Sequence, residues 1–331
     1  GVLNEKQPFE LDFPISLFPS VFLSQKLNES SDLQLNLSRR INRPNFFQLF
    51  PFTDYTDSLN ISRGNPALQP EFTYGAELGY SKTFKNRDNF IASIYFKYND
   101  QLITRFLQGE FDTFLKRNVI VNTFINANSS YITGLELTGR NKLTKWWDLT
   151  SNANLFTSRI DLRDAPDPDQ FLSYFIKLNN TFRLPKNFTV QLSGDYQSRI
   201  ISAPGGGGGG GGFGGGGGGG GRGGGFGGFG GGGGQSAAQG FIRANYGVDL
   251  GLRYEFLKNR TASLSINMQD VLRTRVFSSF TESPFFVQNL DRRRDPRLVR
   301  INFNYRFGKF DASLFKRKNT RAENDVQLDG I

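Results

Sequence analysis

The feature that most constrains this chain is an alternation of apolar and polar residues with a period of two. Successive side chains of a β-strand point to opposite faces of a sheet, so this alternation indicates strands with one apolar and one polar face. It is clearest in residues 72–80, 90–98, 246–256 and 299–307, where Phe, Tyr, Leu, Ile, Val and Ala occupy every second position. The last two segments are longer than most strands of soluble proteins.

The alternation predicts eleven strands joined by connections of two lengths. We place the strands at 16–27, 32–41, 72–84, 89–106, 118–143, 147–160, 171–184, 188–201, 241–257, 261–277 and 298–307. Tight turns at 28–31, 85–88, 144–146, 185–187 and 258–260 alternate with long connections at 42–71, about 107–117, 162–170, 202–240 and 278–297. Outer-membrane barrels have short periplasmic turns and long extracellular loops, whereas a soluble sandwich has no reason to segregate its loops in this way.

Composition excludes most other classes of protein. The chain has no His and no Cys, which removes thiol nucleophiles, zinc fingers and the commonest general base, so we expect neither an enzyme nor a metal or other cofactor. Apolar residues make up 37% of the chain, and no apolar run is long enough for a membrane-spanning helix. The net charge of +10 comes from scattered Lys and Arg, so nucleic acid is not a predicted partner.

The polar faces of the predicted strands indicate where water lies. Asn152, Asn154, Gln191 and Asp195 would pack poorly in a dry core but suit a water-filled lumen, so the apolar face must meet lipid. The predicted fold class is therefore all-β, an antiparallel transmembrane β-barrel. An open sheet of eleven strands would leave unpaired edges in hydrocarbon, so we expect further strands, preceding Gly1, to close the barrel.

Several short motifs carry a resemblance to a known family. Residues 39–44 (RRINRP) and 64–71 (GNPALQPE), with 133–137 (TGLEL), 143–147 (LTKWW) and 248–252 (VDLGL), run along most of the chain. With these motifs, residues from about 18 to 307, apart from the glycine tract, resemble the barrel of TonB-dependent receptors in the outer-membrane β-barrel family. The resemblance implies a barrel of about 22 strands, plugged by an N-terminal domain, of which this chain is the C-terminal part.

The resemblance also implies a function, a location and partners. It implies import of a scarce nutrient across the bacterial outer membrane with energy from the TonB complex, reached through a plug that is not in this chain. The implied partners are outer-membrane lipid, lipopolysaccharide and the barrel-assembly machinery, with a surface lipoprotein as a further candidate. Two alternatives stay open: a passive outer-membrane channel or receptor scaffold without energy coupling, and a secreted β-rich adhesin.

The predicted organisation is one barrel segment with two additions. Residues 1–307 form the barrel part, and residues 308–331 form a polar periplasmic tail. Residues 205–234 are a glycine-rich insertion in an extracellular loop. This tract satisfies a phosphate-loop pattern only trivially, and a passive, flexible loop is the favoured interpretation.

Two sets of residues are candidate functional positions. Arg43, Tyr55 and Arg63, in the long connection at 42–71, could bind an anionic or glycan-like substrate through charge-assisted hydrogen bonds and stacking, and ordinary surface-loop chemistry is the alternative for these three. Asn65 could help to shape a loop that contacts ligand, and the alternative for it is a structural turn that sets the entry to the next strand. At the tight turns, an aromatic belt at the membrane interface is predicted from Trp146, Trp147, Tyr80, Phe84, Phe182 and Phe256.

Overall fold

The chain folds almost entirely into β-strands. The computed structural model describes residues 17–57, 60–86, 88–127, 129–161, 172–202, 239–282, 287–293, 295 and 297–307. Helical structure in these residues is limited to α1 (Phe46–Leu49) and to two 3-10 turns, Pro185–Asn187 and Lys258–Arg260. None of the described helices is long or apolar enough to cross a membrane. The all-β prediction is confirmed.

Nineteen strands are present in the described residues. In chain order they are β1 (Ser20–Asn28), β2 (Ser31–Asn42), β3 (Thr53–Asp54), β4 (Asn60–Arg63), β5 (Glu71–Thr83), β6 (Asn89–Asp100), β7 (Ile103–Asp112), β8 (Arg117–Asn126), β9 (Ser129–Lys142), β10 (Trp147–Asp161), β11 (Leu172–Leu184), β12 (Phe188–Gln197), β13 (Ile200–Ser202), β14 (Gln239–Ile242), β15 (Asn245–Phe256), β16 (Ala262–Met268), β17 (Val276–Glu282), β18 (Val287–Arg293) and β19 (Val299–Tyr305).

Eleven of these strands form one antiparallel sheet, the main sheet. Its order is β1-β2-β5-β6-β9-β10-β11-β12-β15-β16-β19. Tight turns join β1 to β2, β5 to β6, β9 to β10, β11 to β12 and β15 to β16, and all of them lie at one end, the short-turn end. The other connections leave from the opposite, long-connection end. Among the described residues β1 pairs only with β2, and β19 pairs only with β16, so the main sheet is open at both edges in this part of the chain.

The predicted number of main-sheet strands is confirmed, but several predicted strands are too long. Those at 89–106, 188–201 and 261–277 end early, at Asp100, Gln197 and Met268, and those at 118–143 and 241–257 begin late, at Ser129 and Asn245. The predicted strands are too long because the alternation of apolar and polar residues continues beyond the main sheet, into separate strands of two smaller sheets. Residues with positive φ mark some of the bends between them, such as Gln101 with φ 55° and Asp270 with φ 48°, values that break an extended strand.

Four of the long connections contain strands in their described residues, and these strands form two smaller sheets. Strands β3-β4-β8-β7 form one four-stranded sheet and β13-β14-β17-β18 form another, both at the long-connection end. The predicted loop at about 107–117 is wrong, because β7 and β8 pair continuously from Ile103 opposite Asn126 to Asp112 opposite Arg117. Only the tip of that hairpin is a turn.

The register of the main sheet gives it two chemically distinct faces. One row of directly paired residues across six strands is entirely apolar: Leu23, Leu35, Leu78, Ile94, Leu135 and Leu155. The adjacent row, one residue along each strand, is polar or small: Ser24, Gln34, Gly79, Ser93, Glu136 and Asn154. Because neighbouring rows point to opposite faces, the sheet has an apolar face and a polar face.

The apolar face is not covered by protein. Ile94, Phe303 and Ile301 are 58%, 65% and 65% exposed, although they lie within strands of a continuous sheet. A soluble sheet buries such a face against a second layer, and no second layer packs on it in the described part of the chain. Exposed apolar area of this extent requires a non-aqueous neighbour, as predicted for a face that meets lipid.

Candidate ligand-binding region at the long-connection end

The connections from β2 to β5 and from β6 to β9 fold together into a compact unit, here called the cap (α1, β3, β4, β7 and β8). Strand β4 runs parallel to β8, with Ile61 opposite Val121. Ile61, Val119 and Val121 form a buried apolar cluster on which Leu115 packs. The cap therefore has a core of its own, which fixes the positions of the side chains around it.

Asn65 joins the two connections that make the cap. Its amide Nδ2 donates to the carbonyl of Phe124 at 2.8 Å, and its Oδ1 accepts from the backbone N–H of Ala67 at 2.9 Å. Its own backbone N–H donates to the carbonyl of Gln48 at 2.7 Å. Gly64 beside it has no room for a side chain, because a Cβ there would lie 2.3 Å from the carbonyl oxygen of Phe50. The 64–71 motif thus shapes the cap, and a contact between Asn65 and ligand stays a prediction.

The structure brings two of the other predicted substrate residues together. Arg63 pairs with Thr53 across the β3–β4 hairpin, and Tyr55 follows β3 directly. Arg63 donates to Glu110 at 2.8 Å, and the Tyr55 hydroxyl donates to Asp112 at 3.1 Å. Both residues thereby connect the hairpin to β7. Hydrogen bonds from the Thr56 hydroxyl and backbone N–H hold the pKa of the adjacent Asp54 carboxyl below its ordinary value.

Arg43 lies apart from Tyr55 and Arg63 in the chain. It is an exposed residue just beyond the end of β2 and two residues before Asn45, which caps α1. The Asn45 side chain accepts from the backbone N–H of Gln48, and the Gln48 side chain accepts from the backbone N–H of Asn45. This capping box stabilises a helix of a single turn. The four predicted substrate residues thus lie in one cap, and only Tyr55 and Arg63 reach the same strand.

The exposed phenylalanines of the cap are not among the predicted substrate residues. Phe46, Phe47, Phe52 and Phe114 are 65%, 81%, 71% and 77% exposed. Phe46 stacks on Phe50 with ring centroids 4.9 Å apart, and Phe114 lies 5.4 Å from the ring of Tyr55. The density of Phe in the segment FFQLFPF (46–52) is the signal that could have identified them. The rings of residues 46–52 contact one another in series and form one apolar patch, and Phe114 with Tyr55 forms a separate aromatic pair; both are suited to stacking on a ligand.

The second small sheet contains β13 and β14, the described strands that precede and follow the glycine-rich insertion in the chain. Ser202 pairs with Gly240, so the chain leaves and returns at neighbouring positions. Residues 205–234, predicted to be a flexible extracellular loop, lie outside the described residues. A Cβ on Gly240 would sit 1.9 Å from the carbonyl oxygen of Phe280, so only glycine allows β14 to approach β17 this closely.

Arg275 anchors the second small sheet to the polar face of the main sheet. Its guanidinium donates to Asp195 on β12, and to Asp249 on β15 at 3.0 Å. Asp270 accepts from the backbone N–H of Thr274 at 2.9 Å and is buried. Gly247 leaves space for this arrangement, because a Cβ there would lie 2.4 Å from Nη2 of Arg275. Asp195, predicted to face a lumen, therefore holds a folded connection in place.

A broad polar cavity of about 420 Å³ lies on the polar face near the short-turn end. Gln34, Glu77, Ser93, Glu136 and Thr138 are among the residues that line it. Nearby hydrogen bonds run along the same face, from Tyr95 to Asn154 at 3.0 Å and from Thr138 to Asn152 at 3.1 Å. This face is therefore suited to contact water or a polar partner.

The family that the sequence matches is one whose sheets have an apolar and a polar face, as the main sheet does. Residues 3–210 and 229–305 match the model of the outer membrane protein beta-barrel family. The chain belongs to the outer membrane protein beta-barrel family. The predicted resemblance is confirmed at this level, and the main sheet is a segment of an outer-membrane β-barrel. No curated protein matches the sequence significantly.

Solved structures of receptor barrels share the fold of this family member. The siderophore receptor PirA of Pseudomonas aeruginosa is 16% identical, with a TM-score of 0.53 over 78% of this chain and 39% of that one. A ferric enterobactin receptor of the same organism, solved with enterobactin, is 14% identical, with a TM-score of 0.52 over 78% and 36%. The ferric-catecholate import receptor Fiu of Escherichia coli K12 is 14% identical, with a TM-score of 0.52 over 86% and 34%. The chain thus spans little more than a third of these proteins.

The barrel strands place the predicted belt aromatics at the short-turn end. Trp147 pairs with Phe182 on the apolar face, and Trp146 in the adjoining turn lies 5.9 Å from the Phe182 ring. Tyr80, Phe84 and Phe256 lie at the same end of their strands. The indole N–H of Trp147 donates to Asn180 at 3.0 Å, so its polar atom is satisfied. That these residues mark a membrane interface stays a prediction.

A second aromatic row, which the sequence analysis missed, lies near the long-connection end of the apolar face. Tyr74 pairs with Tyr98, and Tyr98 pairs with Tyr131. Further along the sheet, Tyr196 pairs with Tyr246 and stacks on Tyr174 with centroids 5.5 Å apart. The alternation identified these residues as apolar but not their alignment, because alignment depends on the register between strands.

Proposed function

We propose that this chain is the C-terminal part of the barrel of a TonB-dependent receptor, which imports a scarce nutrient through a plugged lumen and has no catalytic role. The observation that carries the proposal is that the chain belongs to an outer-membrane β-barrel family and that its main sheet has an exposed apolar face opposite a polar face. Similarity to receptors named for siderophores and ferric catecholates supports uptake in preference to adhesion. The polar face would then meet the plug and the water around it.

In this proposal the long-connection end is extracellular and the short-turn end is periplasmic. Barrels of this class have long extracellular loops and short periplasmic turns. The two aromatic rows agree with that arrangement, since girdles of aromatic residues flank the lipid-facing band of such barrels. The cap and the second small sheet would then stand at the outer mouth, where a ligand arrives.

The cap is the proposed site of first contact with ligand. Its exposed rings, Phe47 and Phe52 foremost, offer faces for stacking on a planar group. Arg43 is exposed nearby in the chain and supplies a cation for an anionic ligand. A ferric catecholate, with planar rings and negative charge, has the chemistry that suits both features.

A binding and uptake experiment with iron-loaded enterobactin tests this function. The full-length receptor is expressed in a bacterium that lacks its own ferric-catecholate receptors, with and without the TonB complex. We expect uptake only when TonB is present. Equal uptake in both strains would instead indicate a passive channel, the alternative left open by the sequence.

The role of the cap is tested in the same cells. The double substitution Phe47→Ala and Phe52→Ala removes two stacking surfaces, and we expect binding to weaken about tenfold. The control is Phe303→Ala, which removes a ring that is also largely exposed, at 65%, from the apolar face of the barrel. Equal binding by the two variants would contradict a ligand site in the cap.

A further inference from the structure

Charged residues are confined to the margins of the apolar face. In the register of the main sheet, the charged residues that share this face are Lys82, Arg39, Asp100, Arg159 and Asp161. Lys82 lies at the short-turn end, and the other four lie toward the long-connection end. A charge in the middle of a lipid-facing band is costly, whereas long cationic side chains near its edge reach the headgroups.

Arg39 stands in line with the tyrosines of the long-connection end. The directly paired row runs from Arg39 through Tyr74, Tyr98 and Tyr131 to Arg159. Asp100 and Asp161 lie in the adjacent row of the same face, on the side of the long connections, where they flank Ser129. The row thus offers cations and phenolic hydroxyls at one level, with carboxylates beyond them.

The Arg39 guanidinium is held in position by aromatic rings and not by an acid. Its Cζ lies 4.5 Å from the ring centre of Phe72 and 5.4 Å from that of Tyr74. Its one hydrogen bond to a described residue runs from Nη1 to the carbonyl of Leu17, at 3.0 Å. No carboxylate within ion-pair distance of it belongs to the described residues. The Nε atom of Arg39 is buried, so of the five N–H donors of the guanidinium those on Nη2 are the ones left for an external anion.

We propose that Arg39, with the hydroxyls of Tyr74 and Tyr98, binds a phosphate group of lipopolysaccharide in the outer leaflet. The inference rests on the proposed orientation, which places the long-connection end outside. Planar guanidinium groups bind phosphate through paired N–H donors, and a tyrosine row marks the level at which headgroups lie.

Binding of purified lipid A to the full-length receptor in detergent tests the proposal. Native mass spectrometry gives the affinity for bis-phosphorylated lipid A, for its dephosphorylated form and for phosphatidylglycerol. We expect Arg39→Gln to weaken binding of the phosphorylated form about tenfold, and Arg39→Lys to weaken it less, because Lys keeps the positive charge but not the paired planar donors. The matched control is Lys82→Gln, which removes a cation lying 5.1 Å from the Phe84 ring at the opposite end of the same face, and it should leave affinity unchanged.

Three results would overturn the inference: equal affinities for the Arg39→Gln and Lys82→Gln variants, equal binding of phosphorylated and dephosphorylated lipid A, or Arg39-dependent binding of phosphatidylglycerol as strong as that of lipid A. Heat-modifiable migration on gels confirms that each variant is folded. The assay does not involve transport, so a receptor that imports ligand normally yet shows no role for Arg39 would overturn this inference alone.

Discussion

Leu192 and Gln191 are adjacent residues of β12 whose environments differ sharply if the apolar face meets lipid. Both are exposed, but Leu192 pairs with Leu250 on the apolar face, and Gln191 pairs with Gly251 on the polar face. Leu192 lies midway between Phe188, the aromatic residue that begins β12 at the short-turn end, and Tyr196, which belongs to the aromatic row near the long-connection end. At about 3.4 Å per residue and a tilt of about 40°, these two residues are roughly 20 Å apart along the membrane normal. Leu192 is therefore near the bilayer midplane.

Substitution of each residue by Arg measures this difference. An Arg near the midplane of a barrel costs about 2–4 kcal/mol, so Leu192→Arg should lower the folding equilibrium constant about 30-fold to 700-fold. Gln191→Arg places the same side chain in water, and its effect should stay within about 0.5 kcal/mol. The assay is urea unfolding of the full-length receptor in phosphatidylcholine vesicles, followed by the heat-modifiable gel band. If Gln191→Arg costs as much as Leu192→Arg, the assignment of the two faces is refuted.

Three further substitutions test the folded connections. Asn65→Ala removes hydrogen bonds to Phe124 and Ala67 and should destabilise the cap by about 1–3 kcal/mol. The amides of β8 should then exchange faster, and unchanged exchange would contradict the role of Asn65 in joining the two connections. Gly64→Ala should expose α1 to protease because its Cβ would meet the Phe50 carbonyl, whereas Gly79→Ala, with no atom within 4 Å of its Cβ, should not. Arg275→Gln breaks the ion pairs to Asp195 and Asp249 and should speed hydrogen exchange in β17 but not in β11. Equal effects in both strands would contradict the role of Arg275 in anchoring the second small sheet.

The two faces and the alternation of connections could be predicted because they depend on local pattern. In β15, the spacing of apolar residues from Tyr246 to Phe256 predicts which side chains share a face. The polar residues Lys, Asn and Arg at 258–260 predict the turn that follows. Neither inference needs knowledge of the partner strands. The strand count of the main sheet followed from the same local rule.

The cap could not be predicted because it depends on contacts between distant segments. Ile61 is buried only because β4 lies beside β8, about sixty residues later in the chain. The same alternation that defines a barrel strand also defines β7, so no local pattern indicates that the chain bends at Gln101. For the same reason, the hydrogen bonds from Arg63 to Glu110 and from Tyr55 to Asp112 on β7 could not be predicted.

The most direct test of the account is the lipid accessibility of successive residues along one strand. The chain contains no Cys, so single substitutions such as Leu192→Cys and Gln191→Cys can be introduced at each position of β12 and spin-labelled in the reconstituted full-length receptor. The account predicts that accessibility to oxygen alternates with a period of two, is high at even-numbered positions and is greatest at 192, while odd-numbered positions respond to a water-soluble relaxing agent. Uniform accessibility along β12, or labels at even-numbered positions that neither reagent reaches, would contradict a lipid-facing apolar surface.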